Sequence, residues 1–152
     1  TGLSNRLVDR LRQKEGLSYG VGSHVKLPQF GNRSSWMMSA IVAPQNLPKA
    51  EACAKEEIAR AVKDGFTEQE VKEAVKGILD SRAVNRAQDD YLAQSWLQFM
   101  EAGKTFAFSK QFEERIAAVT VDSVNAALRR MVVPENVTWI LSGDLAKAGL
   151  KK

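Results

Sequence analysis

The sequence predicts an α+β fold, an α/β sandwich in which a helical layer packs on a mostly antiparallel sheet. Three patterns along the chain predict it. Six segments repeat apolar residues at helical spacing, two segments near the N-terminus read as paired strands, and one continuous apolar run lies near the C-terminus. The expected order is therefore helix, hairpin, five helices and a closing strand.

The predicted first helix has Ser4 as its N-cap and ends at Gly16, because glycine adopts the left-handed conformation easily. Its apolar stripe has the spacing of a core-facing side and consists of Leu3, Leu7 and Leu11. Tyr19 then begins a strand that contains Gly20 and Gly22, and glycines in a strand often mark the close approach of another backbone.

The second strand covers residues 35–43, with Trp36, Met38 and Ala40 on one face, and forms a hairpin with the first across a connection at residues 28–32. The helices that follow run from Asn46 to Gly65, from the Thr67–Glu70 capping box to Arg86, from Asp89 or Asp90 to Gly103, through Phe108, Phe112 and Ile116, and from Thr120 to a stop before Pro134. The inward face of the helix that ends at Gly103 is expected to carry Leu92, Trp96, Leu97 and Met100. Val137 to Leu141 is predicted to be a third strand, buried on both faces.

The amino-acid composition and net charge limit which kinds of protein this chain can be. With 152 residues, 44% of them hydrophobic and 26% charged, the chain fits one ordinary globular domain. Its net charge of +4 is mildly basic, and the only cluster of cations is formed by Arg6, Arg10, Arg12 and Lys14. No aromatic platform or groove-reading motif accompanies that cluster, so no nucleic-acid partner is expected. No apolar run approaches the length of a membrane span.

The chain does not carry the residues of a self-sufficient enzyme. His24 is the single histidine and Cys53 the single cysteine, whereas a catalytic zinc site needs three protein ligands. The sequence contains no H-x-x-E-H, G-x-S-x-G or G-x-x-x-x-G-K-[ST] motif. Cys53 lies on an apolar helical stripe and is expected to be buried and inert. We therefore expect no metal site within this chain.

Arg12 and Tyr19 are the polar residues whose placement suggests an action on a ligand. Arg12 lies near the end of the first helix, Tyr19 at the start of the first strand, and the chain reversal at Gly16 brings the two back towards each other. The same spacing also fits a solvated helical arginine and a half-buried strand tyrosine. Spacing alone leaves both interpretations open.

The stretch from Leu3 to Ser23 resembles the C-terminal half-domain of the pitrilysin/insulinase family of zinc peptidases, the inverzincins, which include the mitochondrial processing peptidase. The shared pattern is S-x-R-L-x-x-x-L-R-x-x-x-G-L-x-Y, here Ser4, Arg6, Leu7, Leu11, Arg12, Gly16, Leu17 and Tyr19. The helix at Gly65–Leu79 and the closing block at Thr120–Asp144 also agree with the family, so the resemblance covers nearly the whole chain.

The resemblance implies a substrate-binding domain of a zinc endopeptidase. It implies that Arg12 and Tyr19 hold the peptide backbone, that Tyr19 also stabilises the oxyanion, and that zinc sits on another domain or on a partner subunit. It further implies that residues 1–152 are one domain, the C-terminal part of a peptidase half-domain lacking upstream strands, because three strands are few for six helices. Of the compartments in which the family occurs, it favours the bacterial periplasm over the mitochondrial matrix.

Two other functions stay open at this stage. The chain could be a non-catalytic partner subunit that supplies Arg12 and Tyr19 to a zinc-bearing chain, or a structural relative without proteolytic activity. A sheet that lacks neighbouring strands would also have an unpaired edge, so self-association of the chain is expected.

Overall fold

The computed structural model describes residues 2–26 and 33–150. The predicted connection at 28–32 lies outside the described residues. Elements follow the chain as α1 (Leu3–Val8), a π-helical segment (Asp9–Lys14), β1 (Ser18–Lys26), β2 (Ser35–Val42), α2 (Leu47–Asp64), α3 (Glu68–Asn85), α4 (Asp89–Glu101), α5 (Phe106–Ala117) and α6 (Val121–Met131). Short 3₁₀ turns at Pro44–Asn46 and Pro134–Asn136 precede α2 and follow α6. This is the expected α+β class, with helices packed on an antiparallel hairpin.

The core lies between the first helix, α2 and one face of the hairpin. Leu7 and Leu11 are fully buried, and Ala54 and Ile58 of α2 are almost fully buried. The half-buried residues that pack against this core include Val21, Trp36, Met38, Ala40 and Val42 from the two strands. The leucine stripe of the first helix and the inward face of β2 are therefore as predicted.

The turn between α2 and α3 is held from three sides. Thr67 and Glu70 form the predicted capping box. Arg6 of α1 donates hydrogen bonds to both carboxylate oxygens of Glu70, each at 2.7 Å, and to the carbonyl oxygen of Gly65 at 2.9 Å. Asn125 of α6 accepts from the Phe66 amide at 2.7 Å and donates to its carbonyl oxygen at 3.0 Å. This turn thus joins α1, α3 and α6.

The prediction of a third strand at Val137–Leu141 is wrong. Within the described residues the sheet has two strands, and Val137–Leu141 pairs with neither. Burial alternates along this segment, and Ile140 is 86% exposed while Trp139 packs against the core. One face of the segment is covered by the core and the other is not, since nothing in the described part of the chain packs over Ile140.

Two further predictions are wrong. Ser4 does not cap the first helix, which begins at Leu3; its hydroxyl instead accepts a hydrogen bond from the Ser23 amide of β1 at 3.4 Å. Three side chains placed inward on α4 are exposed: Trp96, Leu97 and Met100. α4 packs on α5 through stacked and edge-on aromatic rings, such as Trp96 on Phe106 at 5.1 Å, and these contacts leave Leu97 and Met100 58% and 60% exposed.

Candidate functional site

Arg12 lies on an irregular helix. From Asp9 to Lys14 the chain forms a π-helix, in which the wider turn changes the direction of each side chain relative to α1. Leu11 remains fully buried while Arg12 next to it is exposed. Segments of π-helix occur often at functional sites, since they re-aim a few side chains without ending the helix.

The other cations of the Arg6–Lys14 cluster are neutralised within the chain. Arg6 binds Glu70, Arg10 lies 3.3 Å from both Glu15 and Glu56, and Lys14 lies 3.5 Å from Asp9. Arg12 has no hydrogen-bond or ion-pair partner among the described residues. The four cations therefore do not form one basic surface, and Arg12 is the one left for a ligand.

The reversal after the helix occurs where it was predicted. Gly16 has φ of +61°, in the left-handed region, and the Leu17 amide donates to the carbonyl oxygen of Leu11 at 2.8 Å. This bond holds the start of β1 against the end of the helix. Arg12 and Tyr19 thus leave the backbone on either side of one tight connection.

Tyr19 sits in a β-bulge. Ser18 pairs with Val42 and Gly20 pairs with the preceding residue of β2, Ile41, so Tyr19 is an extra residue without a partner across the strands. Its side chain is 89% exposed. Among the described residues it makes no hydrogen bond and no ring contact. Bulges of this kind re-aim side chains and are common beside active sites.

The bulge is buttressed by Ser18, a residue the sequence analysis did not identify. Ser18 is buried, and its hydroxyl lies 2.8 Å from the carbonyl oxygen of Gly20 and 2.8 Å from that of Ile41. Regular alternation would place Tyr19 and not Ser18 on the core side with Val21, so no signal in the sequence marks Ser18.

The face of the hairpin that carries Tyr19 is open. A side chain added at Gly20 or Gly22 would meet no atom within 4 Å. Across the strands, Ile41 is 70% exposed and Met37 is 53% exposed. An extended peptide could therefore lie over the glycines with apolar side chains beside it.

A cavity borders β2 and is lined by residues from both faces of that strand, Met37 and Ile41 of the open face included. It measures about 940 Å³, is open to solvent on one side, and is lined by β2, α2 and residues 131–145. Its lining is mostly apolar, with Glu51 and Asp144 as the titratable residues among those described. It lies between Val137–Leu141 and the edge of β2 that has no strand partner within the described residues, and its described lining contains no histidine, lysine or arginine.

The described residues do not fit a zinc ion. They contain no group of three or more histidine, cysteine, aspartate or glutamate side chains placed to hold a metal. His24 is exposed on β1, and Cys53 is buried in α2, where an Arg10 amino group approaches its sulfur at 3.8 Å. Nor does any helix in the described ranges have the length and hydropathy needed to cross a bilayer.

Residues 1–78 match the family model of the peptidase M16 inactive domain. The chain belongs to this M16 inactive-domain family. That result confirms the resemblance to a C-terminal half-domain of the pitrilysin type, and the match includes the Leu3–Ser23 stretch that carries the shared pattern. Among curated proteins, none matches the sequence significantly.

Two solved structures show the M16 fold. A peptidase M16 inactive domain from Pseudomonas fluorescens matches 88% of this chain and 31% of its own, with a TM-score of 0.70 and 22% identity. The periplasmic protease PqqL from Escherichia coli matches 84% of this chain and 14% of its own, with a TM-score of 0.66 and 20% identity. The M16 domain described here thus spans less than a third of either protein.

Proposed function

We propose that this chain is the substrate-binding domain of a zinc-dependent endopeptidase, in which Arg12 and Tyr19 hold the peptide backbone opposite a zinc site on another domain. The observation that carries the proposal is the bulge at Tyr19. It leaves a phenol free beside a strip of bare glycines in a chain of the M16 peptidase family. A solvated arginine would not require the π-helix under Arg12, and a structural tyrosine would not require the bulge at Tyr19.

Tyr19 would act on the carbonyl group under attack. Its hydroxyl is a neutral hydrogen-bond donor that can point at the oxygen on which negative charge develops. Because the side chain makes no hydrogen bond within the described residues, it would not have to break one before it binds substrate.

Arg12 would hold the peptide backbone. Its guanidinium presents several donors in a rigid fork, which suits carbonyl oxygens of an extended chain. Since Arg6, Arg10 and Lys14 already have acidic partners, the positive charge offered to the substrate is that of Arg12.

Zinc would belong to another part of the assembly. The described residues do not form a zinc site, and the matched family is described as the inactive domain. We propose that zinc is bound by the protein's own N-terminal half or by a zinc-bearing partner subunit, and that this chain alone hydrolyses no peptide. Residues 1–152 would then be a single domain, the C-terminal part of a peptidase half-domain.

Two alternatives remain distinguishable by experiment. In the partner-subunit alternative, the full-length protein carries no H-x-x-E-H motif, yet its Arg12 and Tyr19 serve a second chain. In the structural-relative alternative, neither residue affects peptide hydrolysis. Location in the bacterial periplasm is proposed because the structurally similar PqqL is a periplasmic protease.

The test is Tyr19→Phe in the full-length protein, assembled with its zinc-bearing partner if that is a separate chain. Loss of one oxyanion donor predicts a fall in turnover of about 10²–10³-fold. Arg12→Ala should raise KM and also lower turnover. Thermal stability should stay within about 0.5 kcal/mol of the unmodified protein, since both side chains are exposed.

The chain offers matched controls for both variants. Tyr91→Phe removes the hydroxyl of the other tyrosine, and Arg115→Ala removes an exposed arginine from α5. Both should leave turnover unchanged. Equal activity of Tyr19→Phe and Tyr91→Phe would exclude the catalytic role of Tyr19 and favour the structural-relative alternative.

A further inference from the structure

We propose that Ser18 is a positioning residue that fixes the β-bulge and thereby aims Tyr19 at the substrate. The inference rests on the proposed function of Tyr19, and goes beyond it by naming the group that sets the tyrosine's direction.

The pairing of the two strands shows what the bulge does. Residues that face each other across the hairpin share a side of the sheet, so Ser18 lies on the core side with Val42, and Val21 lies there with Ala40. In a regular strand Tyr19 would share the side of Val21, two residues later, and would face the core. The extra residue removes that constraint and leaves Tyr19 89% exposed.

Ser18 is placed to hold this arrangement. Its hydroxyl reaches the carbonyl oxygens of Gly20 and Ile41, both at 2.8 Å, and these two residues are the first pair after the bulge. The one hydroxyl proton is shared between the two carbonyl oxygens, and a single buried group thus links the bulged strand to itself and to β2. Without the hydroxyl, the ladder can close on Val42 with Tyr19 in place of Ser18, which would turn the phenol towards the core.

The choice of residue supports a specific role. Ser18 is one of two buried polar or charged side chains in the described part of the chain, and the other, Glu57, lies on α2. An apolar residue at this position would pack next to Leu17 without a polar group to satisfy. The hydroxyl is therefore unnecessary for burial and is accounted for by the two carbonyl oxygens of the bulge.

Ser18→Thr and Ser18→Val test the proposal, because the two replacements have nearly the same shape and differ in the hydroxyl. In the full-length protein, Ser18→Thr should retain turnover, whereas Ser18→Val should lose about 10- to 100-fold, the range expected when a catalytic group moves by about 1 Å. In combination with Tyr19→Phe, Ser18→Val should lower turnover no further. Equal turnover of the Thr and Val variants, or an additive loss in the double variant, would overturn the proposal.

A second measurement reports the tyrosine directly. Incorporation of 3-fluorotyrosine into the full-length protein gives a ¹⁹F signal for Tyr19, assigned as the one missing from Tyr19→Phe, and one for Tyr91, assigned in the same way from Tyr91→Phe, so the second serves as an internal reference. Ser18→Val should reduce the solvent exposure of the Tyr19 ring, as reported by its ¹⁹F signal, and leave the exposure of the Tyr91 ring unchanged. If Tyr19→Phe has no effect on turnover, the proposed function fails, and the ¹⁹F result still decides the role of Ser18.

One outcome would reassign Ser18 altogether. If Ser18→Val loses the dispersed Tyr91 signal while Ser18→Thr keeps it, the hydroxyl holds the whole domain together, and the positioning role is overturned.

Discussion

Replacing Arg6 with methionine removes the contacts that join the first helix to the α2–α3 turn. Arg6 donates to both oxygens of Glu70 and to the Gly65 carbonyl, and its guanidinium lies 4.9 Å from the centre of the Phe66 ring. We expect Arg6→Met to destabilise the protein, because the hydrogen bonds to Glu70 and Gly65 and the contact with the Phe66 ring are all lost together.

The magnitude follows from exposure. Hydrogen bonds to a charged group contribute about 1.5–3 kcal/mol, and solvent screening lowers the contribution of an ion pair in contact with water. The side chains of Arg6 and Glu70 are 20% and 27% exposed. We therefore expect a loss of about 2 kcal/mol in the free energy of unfolding, which for a chain of this size corresponds to a fall in Tm of roughly 4–8 °C.

Urea denaturation followed by circular dichroism measures the loss, and an unchanged slope shows that the same surface unfolds. Lys76→Met is the matched control, since Lys76 pairs with Asp80 on an exposed face of α3 and its loss should cost less than about 0.5 kcal/mol. If Arg6→Met costs no more than Lys76→Met, the contacts of Arg6 do not anchor the turn.

The same pair predicts a pH dependence. The hydrogen bond from Arg6 lowers the pKa of Glu70 to about 2, from an ordinary value of 4.5. The ionised pair therefore stabilises the folded state fully above pH 4.5, and this contribution is lost as the pH falls towards 2. Glu70→Gln retains a capping side chain, so the stability difference between the unmodified protein and this variant should shrink over that range. A constant difference would contradict the lowered pKa.

Three further predictions concern other parts of the chain. Gly65→Ala should lower the free energy of unfolding in urea by about 2–4 kcal/mol, because Gly65 has φ of +77° and a Cβ there would lie 2.8 Å from Asn125. Gly77→Ala inside α3 is the control and should raise it by about 0.5–1 kcal/mol. A similar effect of both replacements would refute the close approach of Asn125 to Gly65. The isolated chain should bind no stoichiometric zinc and hydrolyse no peptide, which elemental analysis after dialysis and a peptide-cleavage assay check; retained one-to-one zinc would point to a site around His24. The chain should self-associate through the edge of β2 that has no partner within the described residues. Ile140→Glu, at the rim of the neighbouring cavity, should lower the molecular mass measured by light scattering. A monomeric unmodified chain would exclude self-association through this edge.

The sequence predicted the elements that depend on local chemistry. Gly16, Gly65 and the Thr67 capping box occur where they were expected, because each satisfies the helix end within a few residues of itself. The leucine stripe of the first helix and the inward face of β2 were also predictable, since the residues that are apolar at regular spacing in the sequence are the ones buried in the structure.

Features that depend on distant contacts were not predictable. An apolar run such as Val137–Leu141 becomes a strand only if another edge accepts its hydrogen bonds, and within the described residues none does. Exposure of Trp96 likewise depends on what covers α4. The candidate pair Arg12 and Tyr19 was identified from sequence, but the π-helix and the bulge beneath them leave no pattern in hydrophobicity. Ser18 was missed for the same reason, since its role depends on a carbonyl oxygen 23 positions away.

The bulge at Tyr19 also separates recognition from stability. Ser18 and Val21 keep their core partners on either side, so residue 19 contributes no volume to the interior. Replacements at this position, whatever their size, should leave the surrounding packing intact. In such a protein a single replacement at residue 19 can change ligand binding without a change in core packing. Nearly all variants in a library at residue 19 should therefore remain folded.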